Sequence, residues 1–370
     1  MKQGHTLQEL AAEVMRISDA KKDFIADTRN IHMKIGTPDQ EIGLLDAVID
    51  ETRRQSAIVQ PRFEIDGVGE FGIRETAHSQ IAGKAGIPLT YYRRMWNDAP
   101  HLLVSNVNHW LINEPSRRMV RTLDGDARAF LSDRYRILDN DELLEAVLPV
   151  ISDLKVKIES SAVTEKKIYL KCTFPQVEGE VKPGDVVRAG FVLSNSEVGQ
   201  GSVSVQPLVL RLVCRNGAVM NDARMKRFHV GRANGNGDDP HRFFKDDTLK
   251  ADDQAFMLKV RDTIQGAADE AQFKATVDRM KESTERKIEG NPVEAVEVVK
   301  KKYSLQDSER DGVLHHLIHG GDLSHYGLTN ALTRMSQDVE NYDRASDLER
   351  FGGKMFEMSG REWAEIGKAA

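Results

Sequence analysis

Apolar positions along this chain follow two different periods, and the change from one to the other outlines its organisation. Leu7, Leu10, Ala11, Val14 and Ile17 recur at three- and four-residue steps, which places them on one face of a helix. Thr6 and Glu9 add a capping-box pattern, so the spacing predicts a helix from 7 to about 19. Ile42, Leu45, Val48 and Ile49 predict a second helix over 39–54. Two β-like runs follow, AIVQPRFEID and GEFGIR, with Gly67 between them as the turn of a hairpin. A helical pattern from His78 to Ala85 is stopped by Gly86 and Pro88, and Thr90 is placed to cap a further helix through Tyr91, Tyr92, Met95 and Trp96. An acidic start opens another helix at 140–151.

Between 155 and 214 the period changes to two. KVKIES, KKIYLKCTF, DVVRAGFVLSN and SVSVQPLVLRLVC alternate and are separated by Gly, Asn and Ser, which predicts an antiparallel sheet. ANGNGDDP then interrupts both periods, and Phe256, Val260, Ile264, Ala267, Ala271, Ala275 and Val277 return to helical spacing, with Asn291-Pro292 as the start of the next helix. The expected class is α+β: a central antiparallel sheet, N-terminal helices and a mainly helical C-terminal third. The expected domains are a mixed main domain over 1–230, a loop or linker over 231–250 and a helical region over 251–370.

Composition narrows the class of protein. The 370 residues are 40% hydrophobic and 30% charged with a net charge of −6, which suits a globular chain and gives no reason to expect a polyanion coat over the whole surface. No apolar stretch reaches the roughly 18 residues of a membrane span, and the N-terminal residues lack a signal-peptide core. Two cysteines, Cys172 and Cys214, cannot build a disulfide framework and fit a reducing compartment, so the expected location is cytoplasmic. Both lie in apolar alternating runs, where a small buried thiol is ordinary, and neither is expected to be functional.

Local charge changes the picture. Residues 205–232 hold Arg211, Arg215, Arg224, Lys226, Arg227 and Arg232 against one acid, Asp222. Clustered cations of this kind suit phosphate oxygens, with His229 as a further donor and Phe228 as a stacking face. The ordinary alternative is a strand of solvated arginines paired to the acids of 238–253. Tyr91-Tyr92-Arg93-Arg94-Met95-Trp96 interleaves rings and cations as single-strand binders do, although Tyr92, Met95 and Trp96 also suit one buried helix face. Arg117, Arg118 and Arg121 are placed to extend that basic surface, diluted by Asp124, Asp126 and Asp133.

Enzyme signals are poorer. Asp153 with Glu165-Lys166-Lys167 fits a loose metal-nuclease spacing that arises often by chance. His315 and His319 stand four apart, but Gly320-Gly321 follows, so a helix C-terminus explains them better than a metal. GxxxxGK[ST] is absent and no GxGxxG opens a helix, so neither ATP nor a dinucleotide is implied. Asn195 and Glu197 in SNSEVGQGS suit either a site or a turn. Tyr326, Gly327, Asn330, Thr333 and Arg334 suit a helix whose polar face packs on the main domain. No catalytic residue, metal or cofactor is expected.

Five strings in order, KKDFIADTRNI at 21–31, IAGKAGIPLTYYRRM at 81–95, RAFLSDRYRILDN at 128–140, SNSEVGQGSVSVQPLVLRLVCRNGAV at 194–219 and YGLTNALTRMSQD at 326–338, resemble the uncharacterised phage/plasmid-like proteins grouped as domain of unknown function 932. The resemblance implies a mobile-element origin, phage or prophage, hence a bacterial host cell, and carries no catalytic assignment. Joined to the basic cluster it sets the expectation: a phage-type DNA-binding protein acting on single strands in recombination, annealing or replication. Its phosphate contacts would be Arg211, Arg215, Arg224, Lys226, Arg227 and His229, with Tyr91, Arg93, Arg94, Trp96, Arg117, Arg118 and Arg121 as a second surface. Two alternatives stay open, an accessory or counter-defence factor binding a host protein and a metal-dependent hydrolase assembled only by the fold. A phage protein partner and a homo-oligomer are also open, and no membrane partner is expected.

Overall fold

The computed structural model describes residues 1–36, 61–220 and 246–369. The helix expected over 39–54 lies outside them, as do Arg224, Lys226, Arg227, His229 and Arg232. The described residues form two compact units, Met15–Ile137 and Met1–Val14 with Leu138–Ala370. That division falls near 137, not within 231–250, and the C-terminal helices belong to the same unit as the antiparallel sheet. Part of the expected linker is itself helical, because a helix begins at Asp246.

The Met15–Ile137 unit contains β1 (Lys22–Asp27), β2 (Ile31–Ile35), β3 (Pro61–Ile65), β4 (Gly69–Ile73), α2 (Glu75–Lys84), α3 (Leu89–Asp98), α4 (Pro100–Asn113), β5 (Arg117–Leu123) and β6 (Asp126–Ser132), and α1 (Leu7–Ala20) runs into it. The six strands order as β1-β5-β6-β4-β3-β2. All neighbours are antiparallel except β4 and β6, which the intervening helices allow to run parallel. Period-two patterning explains the hairpins. Ile31, Met33, Phe63 and Ile65 point into the core, while Lys34 pairs with Glu64 and Arg62 with Glu70 on the other face. The β3–β4 turn needs glycine, since Gly67 has φ +73° and Gly69 φ +139°. Thr90 does not cap α3; it lies inside the helix, whose N-cap is Pro88 without a side-chain bond. Tyr92 and Met95 are buried as the helical spacing requires.

The other unit is built on β7 (Lys157–Val163), β8 (Ile168–Lys182), β9 (Asp185–Asn195), β10 (Ser204–Arg211) and β11 (Asn216–Val219). They form an antiparallel meander in the order β11-β10-β9-β8-β7. Ahead of the sheet stands α5 (Asn140–Asp153); after it come α6 (Asp246–Gly266), α7 (Glu270–Glu285), α8 (Pro292–Tyr303), α9 (Asp307–Gly320), α10 (His325–Met335), α11 (Tyr342–Phe356) and α12 (Gly360–Gly367). The apolar period over 251–289 is split by Asp269, which accepts from the N–H groups of Ala271 and Gln272 and starts a new helix. Thr6 and Glu9 close the expected capping box on α1, and Asn291 caps α8 at Val293.

One sheet face is apolar: Leu170, Cys172, Phe174, Val187, Ala189 and Phe191 meet residues of α5, α6 and α7. The opposite face is polar at its centre. Lys171 Nζ lies 2.7 Å from Glu349 Oε2, and both side chains are 0% exposed. The Lys171 ammonium also sits 4.5 Å from the Tyr342 ring centroid, and the Tyr342 hydroxyl is 2.7 Å from Ser160 Oγ. Burial pushes the Lys171 pKa down and Glu349 opposes the shift. Along the same helix Asp343 accepts from the Tyr169 hydroxyl at 2.9 Å and Arg350 donates to Gln206 at 3.1 Å. Two glycines let α11 come this close. A Cβ on Gly352 would meet Thr333 Cγ2 at 2.1 Å, and one on Gly353 would meet the Val219 carbonyl at 1.9 Å.

Removing one member of a buried pair leaves a charge without a partner, which costs about 3–5 kcal/mol, whereas apolar replacement of both is often neutral. Lys171→Met should therefore destabilise the fold by that amount in urea unfolding, and Lys171→Met with Glu349→Leu should recover most of it. A single variant as stable as the parent would refute the reading.

Two histidines give the fold a pH dependence. His325 donates from Nε2 to the Met355 carbonyl at 2.7 Å and stacks on Trp363 at 4.5 Å; burial lowers its pKa to about 4. His78, 2.8 Å from the Tyr92 hydroxyl and 3.8 Å from the Trp96 ring, is lowered by burial to about 3. Unfolded histidine titrates near pH 6.5, so below that pH the unfolded chain takes up protons that the fold refuses. Stability is complete above pH 6.5 and falls toward pH 4 by about 1.4 kcal/mol per pH unit for each residue. Urea midpoints measured at pH 7.5 and 5.0 should drop accordingly, and the drop should shrink in His78→Gln with His325→Gln.

Candidate functional site

The turn that joins β10 to β11 carries CRN, and it folds against α9 and α10. Between them lies a cavity of about 260 Å³ lined by Arg211, Cys214, Asn216, His316, His319, Asn330 and Arg334, with Tyr326 and Asp322 at its wall. Three separate stretches of sequence thus meet in one place: the start of the basic cluster, the HHLIH segment and the YGLTNALTRM helix.

Each charged wall group has a partner. Arg211 donates to Asp185 from Nε at 2.6 Å and from Nη2 at 2.7 Å, and its Nη1 is 3.2 Å from Cys214 Sγ. Asp185 also accepts from the Tyr326 hydroxyl at 2.8 Å, and the Arg211 guanidinium stands 5.4 Å from the centre of the Tyr326 ring. Arg334 donates to Asp338 at 2.9 Å, which His316 Nε2 approaches to 2.5 Å. Asp322 takes Lys182 at 2.9 Å; the lysine holds its carboxyl below the usual range against the opposing effect of burial. The amides lock the turn in place. Asn216 donates to the Asn330 carbonyl at 3.1 Å and accepts from Gln337 at 2.8 Å. Gly327 has to be glycine, because a Cβ there would meet the Asp322 carbonyl at 1.8 Å.

Most of the described cations from the sequence reading are paired. Arg211 is held by Asp185, and Arg215, mostly exposed, lies 3.6 Å from Glu159. In the Met15–Ile137 unit Arg93 pairs with Glu75 and Arg94 lies 3.8 Å from Asp98. Trp96 stacks on His78 while Tyr91 stays exposed. Arg117, Arg118 and Arg121 do not form one basic face: strand alternation turns Arg118 away from the other two, and burial sets Arg121 apart from exposed Arg117. Arg117 is exposed, Arg118 is half-buried over the Phe130 ring at 5.7 Å, and Arg121 is 0% exposed and bound to Asp23 at 2.9 Å. Burial of Arg121 removes it from any surface contact.

Asn195 and Glu197 serve α5. Asn195 donates to the Leu138 carbonyl and Asn140 Oδ1, and Glu197 accepts from the Asn140 N–H at 2.7 Å. Asp153 and Glu165 are exposed, and no group of three His, Cys, Asp or Glu side chains suited to a metal occurs among the described residues. His315 and His319 stack at 5.9 Å at the end of α9, where Gly321 with φ +67° closes the helix.

Cys214 differs from the expectation. It is not in a strand but in the turn, half-buried at the cavity, because β10 ends at Arg211. Cys172 is fully buried, and burial raises its thiol pKa far above the usual range. Iodoacetamide should therefore label Cys214 in the folded protein and reach Cys172 only after unfolding. Equal labelling of both by peptide mass spectrometry would contradict this placement.

No helix among the described residues is long and apolar enough to cross a membrane. No curated protein and no solved structure matches the chain. A family model, Domain of unknown function (DUF932), matches residues 129–359, a span that includes the whole five-stranded sheet and every residue of the cleft. The chain belongs to the family Domain of unknown function (DUF932).

Proposed function

We propose that this chain binds single-stranded nucleic acid, as a phage-type protein of recombination, annealing or replication. The reading rests on one observation: within a chain of net charge −6, residues 205–232 reverse the sign with six Lys/Arg against one acid. That stretch starts in β10, supplies the turn that walls the cleft, and continues to Arg224, Lys226 and Arg227. Polyanion binding needs such a local density of cations, and aromatic or amide groups beside it suit unpaired bases.

A second reading, a protein-binding accessory factor, has its own support. α4, PHLLVSNVNHWLIN, carries no Asp, Glu, Lys or Arg, yet Leu102, Trp110 and Ile112 are 49%, 37% and 47% exposed. Exposed apolar side chains on an uncharged helix suit a partner surface.

Fluorescence anisotropy against single-stranded and duplex DNA at two salt concentrations decides between them. Binding to single strands should weaken with salt, and each phosphate contact contributes a slope of about −0.7. Arg224→Ala with Arg227→Ala should reduce the slope by roughly one to two units, with the unfolding temperature measured alongside to separate a lost phosphate contact from a lost fold. No affinity for any strand at low salt would overturn the proposal and bring the protein-binding reading forward. An unchanged slope would remove these two residues from the contact.

A further inference from the structure

The cleft at the β10–β11 turn is not built like a phosphate site. Its charges are already matched: Arg211 by Asp185, Arg334 by Asp338 and Asp322 by Lys182. A bound oxyanion would have to share donors that carboxylates hold, and it would stand close to three of those carboxylates. Like charges at such range disfavour each other strongly in a partly desolvated space. The volume, about 260 Å³, is also several times the share of about 30 Å³ that one water takes, more than a single tetrahedral anion fills.

What remains open on the wall is hydrogen-bonding capacity beyond these ion pairs. Asn330 donates from Nδ2 to the Tyr326 carbonyl at 2.9 Å, which leaves its Oδ1 as an acceptor on a half-buried residue lining the space. His319 contributes an exposed imidazole stacked on His315. Arg334 offers the planar face and further N–H groups of a guanidinium that gives one bond to Asp338. Leu317, Ala331 and Gly327 supply apolar or small wall between them. An amide acceptor, an imidazole and a guanidinium plane around a hollow whose charges are matched suit a flat heteroaromatic with mixed donors and acceptors. Asparagine and arginine read base edges in this way, and unpaired bases are also stacked on guanidinium planes.

We propose that this cleft seats one unpaired nucleobase, with Asn330 and His319 on its edge and Arg334 against its face; the assignment rests on the proposed single-strand binding and names the part of the strand that enters the fold. Phosphates then stay outside the cleft, whose own cations are already matched. Cys214 at the wall supplies the readout, since an occupied cleft blocks alkylation while buried Cys172 stays silent.

The experiment follows Cys214 labelling by iodoacetamide in the full-length protein, with adenosine, guanosine, cytidine or thymidine, with inorganic phosphate at matched ionic strength, and with a single-stranded oligonucleotide or an abasic strand of equal length. Anisotropy of the labelled strands is read in parallel. At least one nucleoside and the intact strand should slow labelling several-fold, while phosphate leaves it unchanged and the abasic strand protects far less than it binds. Asn330→Ala and, at the solvent-facing helix end, His319→Ala should each weaken nucleoside protection roughly tenfold with the salt slope unaltered. Protection by phosphate, or none by any nucleoside while the intact strand binds, overturns the base site and leaves strand binding standing. Protection by a nucleoside with no affinity for any strand overturns strand binding and leaves a nucleoside pocket. Loss of protection in neither variant removes Asn330 and His319 from the site.

Discussion

Water has no access to the ion pair between Lys171 and Glu349, and that exclusion constrains the unit around it. A buried ammonium and a buried carboxylate tolerate one geometry, the one in which each answers the other. The lysine sits in the first third of β8 and the glutamate in the middle of α11, so the pair sets both the rotation of that helix and its height over the sheet. Tyr342, Asp343 and Arg350 then reach Ser160, Tyr169 and Gln206 on three different strands. Gly352 and Gly353 are costly inside a helix, by roughly 1 kcal/mol each. They are tolerated where a methyl group would strike Thr333 and the Val219 carbonyl.

The position of the cleft follows from this constraint. With α11 held, its neighbour α10 is placed beside the end of the sheet, where Tyr326 reaches Asp185 and the Asn330 carbonyl meets Asn216. The β10–β11 turn, α9 and α10 cannot close completely on one another, because the arginines and carboxylates between them are satisfied in pairs at fixed distances. A hollow with matched charges and a few open amide and imidazole groups is what remains. On the proposed reading such a wall would select a base by hydrogen-bond pattern and shape.

Several elements are legible in the chain itself. Thr6-x-x-Glu9 and Asn291-Pro292 start helices because a cap is satisfied within three residues of itself. The alternation from 155 to 214 forms most of the meander because side chains alternate between its two faces, while β11 at Asn216–Val219 lies beyond it. Gly67 and Gly69 turn the hairpin by their own backbone freedom. Where local patterns compete with packing, they are less informative. Thr90 offers a cap, yet Pro88 starts the helix; Cys214 sits in an apolar string, yet the strand stops at Arg211, where the side chain is drawn to Asp185.

The sequence alone therefore determines the α+β class, the helix caps, the sheet segment and the sign of the local charge, since all of these depend on neighbours along the chain. It also carries the family, in motifs that keep their order. Only the tertiary structure decides which cations face water. Arg117 and Arg121 share a strand parity, yet one is exposed and the other buried, and Arg211 is matched by a carboxylate 26 residues away. Lys171 and Glu349 are 178 residues apart, and the cleft joins segments near 214, 319 and 330. Contacts at such separations are set by how sheet and helices pack, a property with no trace in local spacing.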